Sequence, residues 1–247
     1  MKAMILAAGL GKRMLPLTAT LPKPLLRAGG RSLIEWQILR LKKANVIDIV
    51  INHYHLGEQI ESALGDGRDY GVHIRYSPEA ERLETAGGII RALPMLGDDS
   101  FIIVNGDVWT DFDFASLRPL DPDKALAHLV MVPNTAHHPE GDYFLDNTGC
   151  LDSTGCLDNA GSLADTGLPG STGRIREAGA PRLTYSGISI LHRALLDGYP
   201  DQYQPLAPLL VSAMRRNLVS GERHDGDWQD IGTPEKLRAL DARLQRV

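Results

Sequence analysis

The chain has 247 residues, 43% of them hydrophobic, which is enough for one large core or one core with small insertions. Its formal net charge of −5 leaves no general basic field for nucleic acid, and no apolar run nears the ~18 residues of a membrane span. The two cysteines, Cys150 and Cys156, form neither a CxxC pair nor a zinc ligand set, and no signal-type apolar region is seen, so a soluble cytoplasmic enzyme is expected.

From the N-terminus, the first predicted strand covers 2–7 and opens into Gly9-Leu10-Gly11-Lys12-Arg13. Glycines without Cβ let backbone N–H groups close around a phosphate, and the neighbouring cations neutralise it. A further cation, Lys23, stands between Pro22 and Pro24, which restrict its backbone. A helix begins after Ser32, with Glu35 completing a capping box and Leu33, Ile34, Ile38 and Leu41 on its apolar face. Strands follow at 48–52, 72–76, 101–104, 126–132 and 185–191, and helices at 56–64, 86–93 and 205–217. The last helix starts with Thr233 as N-cap and Pro234 at its first position. Strands alternating with helices predict a doubly wound, mostly parallel sheet of Rossmann-like α/β type, in one domain spanning 1–247. Ligands bind such sheets beyond the carboxyl ends of the strands.

One stretch breaks this pattern. From 145 to 174 a six-residue period repeats, with Gly149, Gly155, Gly161, Gly167 and Gly173 in strict register. Hexapeptide repeats can build β-helices. Five units led by single leucines bury too little apolar surface to offset the ordering of so many glycines. The expectation is a locally duplicated, mobile hairpin tip inserted into the fold.

The glycine loop is not a Walker A motif, and Leu15 and Pro16 stand where a dinucleotide fingerprint needs its third glycine. Asp107 ends the apolar run 101–104 after Asn105 and Gly106, and Asp230 precedes the last helix. Two aspartates from distant strand ends suit Mg²⁺, which takes few protein carboxylates and completes its shell with water and phosphate oxygens. A turn aspartate and a helix-capping aspartate are the plainer readings of the same residues. Trp36 is expected in the core, while Trp109 and Trp228 flank the two aspartates and are expected to wall a pocket. His53, His55, His137 and His138 are read as loop histidines without a metal role.

The string from Met1 to Thr18, followed by Leu21-Pro-Lys-Pro24, resembles the signature of the sugar-1-phosphate nucleotidyltransferases. The resemblance runs to about Pro119 and resumes from Arg182 to Pro234, leaving the repeat outside it. It implies the nucleotide-diphospho-sugar transferase (GT-A-like) version of the fold. It also implies a nucleoside triphosphate and a sugar 1-phosphate as substrates, Mg²⁺ on Asp107 and Asp230, and a monomer or small homo-oligomer. In that reading Ala7, Ala8, Gly9, Gly11, Lys12 and Arg13 hold the nucleotide phosphates. Lys23 stabilises charge on the α-phosphate, and Lys23, Arg13 and Asp107 form the catalytic set. Glu79 accepts a base N–H, and the backbone of Ala86, Gly87 and Gly88 addresses base carbonyls. Asn105, Glu177 and Gly187 face the sugar. The family often carries Glu-Lys-Pro on the sugar side, whereas this chain reads Arg174-Ile-Arg-Glu177, so the lysine is absent and Arg174 or Arg176 is its candidate substitute.

Within the family, Ile51-Asn-His53, Ser77-Pro-Glu79 and Leu83-Glu-Thr-Ala-Gly-Gly88 look most like the members that take UTP and N-acetylmuramate α-1-phosphate in peptidoglycan recycling. Relatives use mannose 1-phosphate with GTP or glucose 1-phosphate with dTTP. Other relatives survive as non-catalytic sugar-nucleotide-binding regulatory subunits, which need not keep Lys23, Asp107 and Asp230 together. The nucleophile of the transfer is a sugar phosphate oxygen, already anionic near neutral pH, so no general base is required.

Overall fold

A strand buried on both faces reads as an unbroken apolar run, and the first strand occupies such a place. In this computed structural model, which describes residues 1–148 and 172–246, β1 (Lys2–Leu6) buries Ala3, Met4 and Ile5 completely. A small ribbon, β2 (Arg27–Ala28) and β3 (Arg31–Ser32), leads into α1 (Leu33–Lys43). The Ser32 hydroxyl accepts from the Glu35 amide and the Glu35 carboxylate accepts from the Ser32 amide, so the capping box forms as expected. All four apolar positions expected on that helix are buried.

The alternation continues through β4 (Asp48–His53), α2 (Gly57–Leu64), β5 (His73–Pro78), α3 (Glu84–Leu96) and β6 (Ser100–Asn105). Then come β7 (Val108–Thr110), β8 (Ala127–Val132), β9 (Tyr143–Asp146), β10 (Thr172–Arg176) and β11 (Arg182–His192). The remaining elements are α4 (Leu206–Arg215), β12 (Val219–Arg223), β13 (Trp228–Asp230) and α5 (Pro234–Leu244).

Among the described residues the main sheet has nine strands in the order β5-β4-β1-β6-β11-β8-β12-β10-β9. β5, β4, β1 and β6 are parallel, as are β8 and β12. Only β11 and β10 run against the rest, so the sheet is mixed and mostly parallel, of the expected doubly wound kind. Helices cover both faces. Met4, Val50 and Ile103 pack with Ile89 and Leu93 of α3 and Leu209 of α4, while Ile5, Ile51 and Val104 pack with Ile34 and Ile38 of α1 and Ile60 of α2. Each such aliphatic side chain contributes roughly 1.5–3 kcal/mol by leaving water.

The chain leaves β1 to one side for β4 and β5, then crosses to β6 on the other side. That reversal of strand order opens a crevice at the carboxyl ends of β1 and its neighbours. β7 and β13 form an antiparallel ribbon in which Val108, directly after Asp107, pairs with Asp230. The flanks of the hexapeptide repeat pair antiparallel as β9 and β10, with Asp146 opposite Arg174. The body of the repeat, 149–171, lies outside the described residues. Among the described residues no helix is long and apolar enough to cross a membrane.

Candidate active site

The crevice is an open cleft of about 240 Å³. β1 delivers Ala7, Ala8 and Gly9 to it, β4 delivers Asn52, β5 is followed by Glu79, and β6 supplies Asn105 and, just beyond its end, Asp107. A side chain at Gly9 would meet nothing within 4 Å, so this residue faces open space beside the cleft. Gly11 has φ +62°, and a side chain there would press on Thr18 and on the Cβ of Lys23. The Thr18 hydroxyl donates to the Gly11 carbonyl at 2.8 Å and holds the loop in that shape.

Lys23 is 8% exposed, between the buried Pro22 and Pro24, and its ammonium donates to the Asp107 carboxylate. The backbone brings the second aspartate alongside. The Ile231 amide donates to the Asp107 carbonyl at 3.0 Å, directly after Asp230 pairs with Val108. From α1, the fully buried Gln37 donates its side-chain N–H to the Val108 carbonyl and ties the ribbon to the core. Lys236 stands 3.6 Å from the Asp230 carboxylate. Gly232 lies against both that carboxylate and the Arg13 guanidinium. Lys12 and Arg13 are exposed, and among the described residues neither has an ion pair.

Lys23, Arg13 and Lys236 thus stand by the two carboxylates, an excess of positive charge suited to a polyphosphate. The side chains of Asp107 and Asp230 are 30% and 32% exposed, which leaves room for water and phosphate oxygens beside a hard divalent cation. Among the described residues no cluster of three or more His, Cys, Asp or Glu forms a metal cage. A cation held here would rest on the two aspartates together with substrate and water.

Glu79 is buried at the far side of the cleft. Its carboxylate accepts from the Asn52 amide at 2.7 Å and from the Leu83 backbone amide at 3.3 Å, and Asn52 in turn accepts from the Ala7 amide at 3.0 Å. Burial raises the Glu79 pKa above the ordinary glutamate value, against the lowering effect of these hydrogen bonds. Asn52 therefore links the phosphate loop to the buried carboxylate, a role the sequence reading did not single out. An asparagine closing the apolar run of β4 was its signal. At the start of α3 the cleft is reached by Arg82, Glu84 and Thr85. Ala86, Gly87 and Gly88 are buried behind them, and the Gly87 amide is taken by the Gln204 carbonyl at 3.0 Å.

Of the expected sugar-side residues, Asn105 lines the cleft. Gly187 has φ +78°, and a side chain there would run into that of Asn105. Glu177 does not line the cleft, and Arg215 holds both its carboxylate oxygens, Oε2 at 3.1 Å and Oε1 at 3.2 Å. Arg174 donates to the Lys124 carbonyl at 3.0 Å, and Arg176 is engaged by Asp146 at 3.2 Å and by Asn217. Neither arginine reaches the cleft lining.

Trp109 is not a pocket wall. It is buried, donates to Asp227 at 2.7 Å, meets Trp36 edge to face at 5.3 Å, and carries the Arg40 guanidinium 4.1 Å from its ring centre. Trp36 is half-buried rather than central, with its indole N–H on the Ala28 carbonyl. Trp228 does wall a cavity, a second cleft of about 370 Å³ that also borders Asp230 and Lys236. His53 is buried at the end of β4 and paired with Glu61 at 2.6 Å. Lys236 was not foreseen, because a lysine in the first turn of a helix carries no local sign of a site.

Residues 2–143 match the family described as nucleotidyl transferase. N-acetylmuramate alpha-1-phosphate uridylyltransferase of Neisseria meningitidis serogroup B is 47% identical, over 98% of this chain and 97% of its own. The enzyme of the same name from Caulobacter vibrioides is 31% identical, over 98% of this chain and 96% of its own. Among solved structures, a putative glucose-1-phosphate thymidylyltransferase from Bacillus anthracis superposes with a TM-score of 0.74 at 20% identity, covering 100% of this chain and 96% of that one. That last likeness shows the fold.

Proposed function

The chain belongs to the nucleotidyl transferase family, and from that premise we propose that it transfers a uridylyl group from UTP to N-acetylmuramate α-1-phosphate. The products are UDP-N-acetylmuramate and pyrophosphate, and the setting is peptidoglycan recycling in the cytoplasm. The choice of substrates rests on the whole-length likeness to two uridylyltransferases. The observation that carries the reaction type is the junction of Lys23, Asp107 and Asp230 beneath the glycine loop.

In this reading the residues work by positioning and by charge. The amides of the Gly9 to Gly11 loop, with Lys12 and Arg13, hold the β- and γ-phosphates that leave as pyrophosphate. Lys23 turns from Asp107 toward the α-phosphate as charge builds there. The sugar phosphate, with a second pKa near 6, arrives already anionic. One of its oxygens forms a bond to the α-phosphorus while the bond from that phosphorus to the bridging oxygen breaks in line. No residue has to remove a proton. Asp107 and Asp230 would hold Mg²⁺, which when bound would draw charge off the phosphates of both reactants. Glu79 accepts the imide N–H of the uracil, and the first turn of α3, at Thr85, faces its carbonyls.

A pyrophosphate-release assay with Mg²⁺ tests this. UTP, GTP, dTTP and ATP are each paired with the 1-phosphates of N-acetylmuramate, mannose and glucose. Release confined to UTP with N-acetylmuramate 1-phosphate is expected. Release with GTP and mannose 1-phosphate, or with dTTP and glucose 1-phosphate, would keep the reaction and discard the recycling role. Silence across the panel with nucleotide binding intact would make the chain a regulatory sugar-nucleotide-binding subunit.

A further inference from the structure

Each of the two aspartates, whose segments are joined by the Ile231 amide on the Asp107 carbonyl, borders a cleft. Asp107 borders the one that contains Gly9 and Lys23, and Asp230 borders the second. No residue from the glycine loop lines the second cleft. A transfer between two anionic substrates requires both phosphates at one point, with a cation to receive each. The first cleft has Lys23 in its lining, beside Asp107. The second has Lys236 and Arg243.

These two cations are not equally available. Arg243 is bound to Asp227 at 2.8 Å. Lys236 stands 3.6 Å from Asp230, beyond hydrogen-bond reach, and among the described residues its ammonium makes no hydrogen bond. Its backbone is fixed in the first turn of α5, where its amide donates to the Thr233 hydroxyl at 3.4 Å. The positive end of that 11-residue helix adds to the ammonium charge. The arginines of β10 are bound to Lys124, Asp146 and Asn217 and offer no alternative.

We infer that Lys236 binds the phosphate of the sugar 1-phosphate in the second cleft, beside Asp230. This rests on the transferase reading given above. It separates the two substrates by cation, with Lys23 serving the nucleotide and Lys236 the acceptor.

Steady-state kinetics of Lys236→Ala and Lys236→Arg, beside the unaltered protein, provide the test. Removing a charged hydrogen-bond donor should raise KM for the sugar 1-phosphate roughly tenfold to a hundredfold. KM for UTP should stay within about twofold, and Lys236→Arg should recover most of the loss. An unchanged acceptor KM in Lys236→Ala overturns the inference. So does a change confined to the Mg²⁺ concentration required, which would show that Lys236 only counters Asp230. If the alanine variant melts below the assay temperature, Lys236→Gln gives the same comparison with the side-chain length kept. A silent unaltered protein would overturn the transferase reading, and this assignment with it.

Discussion

A lysine ammonium below a cleft floor is costly unless its charge is countered or used. Lys23 is countered by Asp107, whose side chain is 30% exposed and can be hydrated if the lysine is removed. Lys23→Ala should therefore leave the melting temperature within a few degrees while turnover falls roughly a hundredfold to a thousandfold. Asp107→Asn should do the same to turnover, and either variant retaining near-normal turnover would remove that residue from the mechanism. Glu79 makes a prediction of opposite character. Its native pKa is raised by burial, so between the ordinary glutamate value and the raised one the folded chain holds a proton that the unfolded chain has lost. Its contribution to stability is present at low pH and is lost as pH rises through the native pKa. Nucleotide affinity should move the other way, weakening as pH falls through that value, because the ionised carboxylate is the stronger acceptor for the base N–H. Denaturant melts and nucleotide titrations across that window check both, and Glu79→Gln should flatten the stability slope. Lys23 was legible because two prolines and a glycine loop mark it locally. Lys236 was not, since its meaning comes from Asp230 across a fold in the chain.

Elements were legible where burial wrote itself into a short window. β1, β4 and β6 are unbroken apolar runs, and α1 and α5 carry caps that the structure confirms at Ser32 and Thr233. β12 and β13 escaped because Val219-Ser-Gly-Glu-Arg223 and Trp228-Gln-Asp230 hold little apolar surface, and their pairing partners β8 and β7 lie far away in sequence. The direction of β11 was equally hidden, since a period of two does not say which way a strand runs. The hexapeptide repeat belongs to this scale. Its flanks pair as β9 and β10, and the pair nearest the repeat sets Asp146 opposite Arg174. β10 also pairs with β12 from Thr172 onward, so a deletion has to end before that residue. Replacing 149–171 by an Asn-Gly turn, which suits a two-residue hairpin, should leave turnover within about twofold. A loss of cooperative melting in that variant would show the repeat to be part of the fold.

At the scale of the whole molecule, the site depends on its last helix returning to its first residues. α5 packs Leu237 and Leu240 against Met14, Leu33 and Ile231, and the Asp241 carboxylate accepts from the Gly29 amide at 2.9 Å. This docking sets Asp230 and Lys236 over the segment that carries Arg13 and Lys23. The third apolar cluster, smaller than the two that sandwich the sheet, is what holds it. A small cluster opens at lower free energy than the core around it. Leu240 is 1% exposed, and Leu240→Ala should cost about 2–5 kcal/mol at that cluster. The loss should appear first as undocking of α5, with the sheet still formed. Turnover should then fall on warming at a temperature where the far-ultraviolet circular dichroism of the sheet and the other helices is still native. Hydrogen exchange would place the early opening at 233–244. If activity and the global signal were lost together, α5 would be part of one cooperative unit, and the division of the site between a rigid sheet and a docked helix would be wrong.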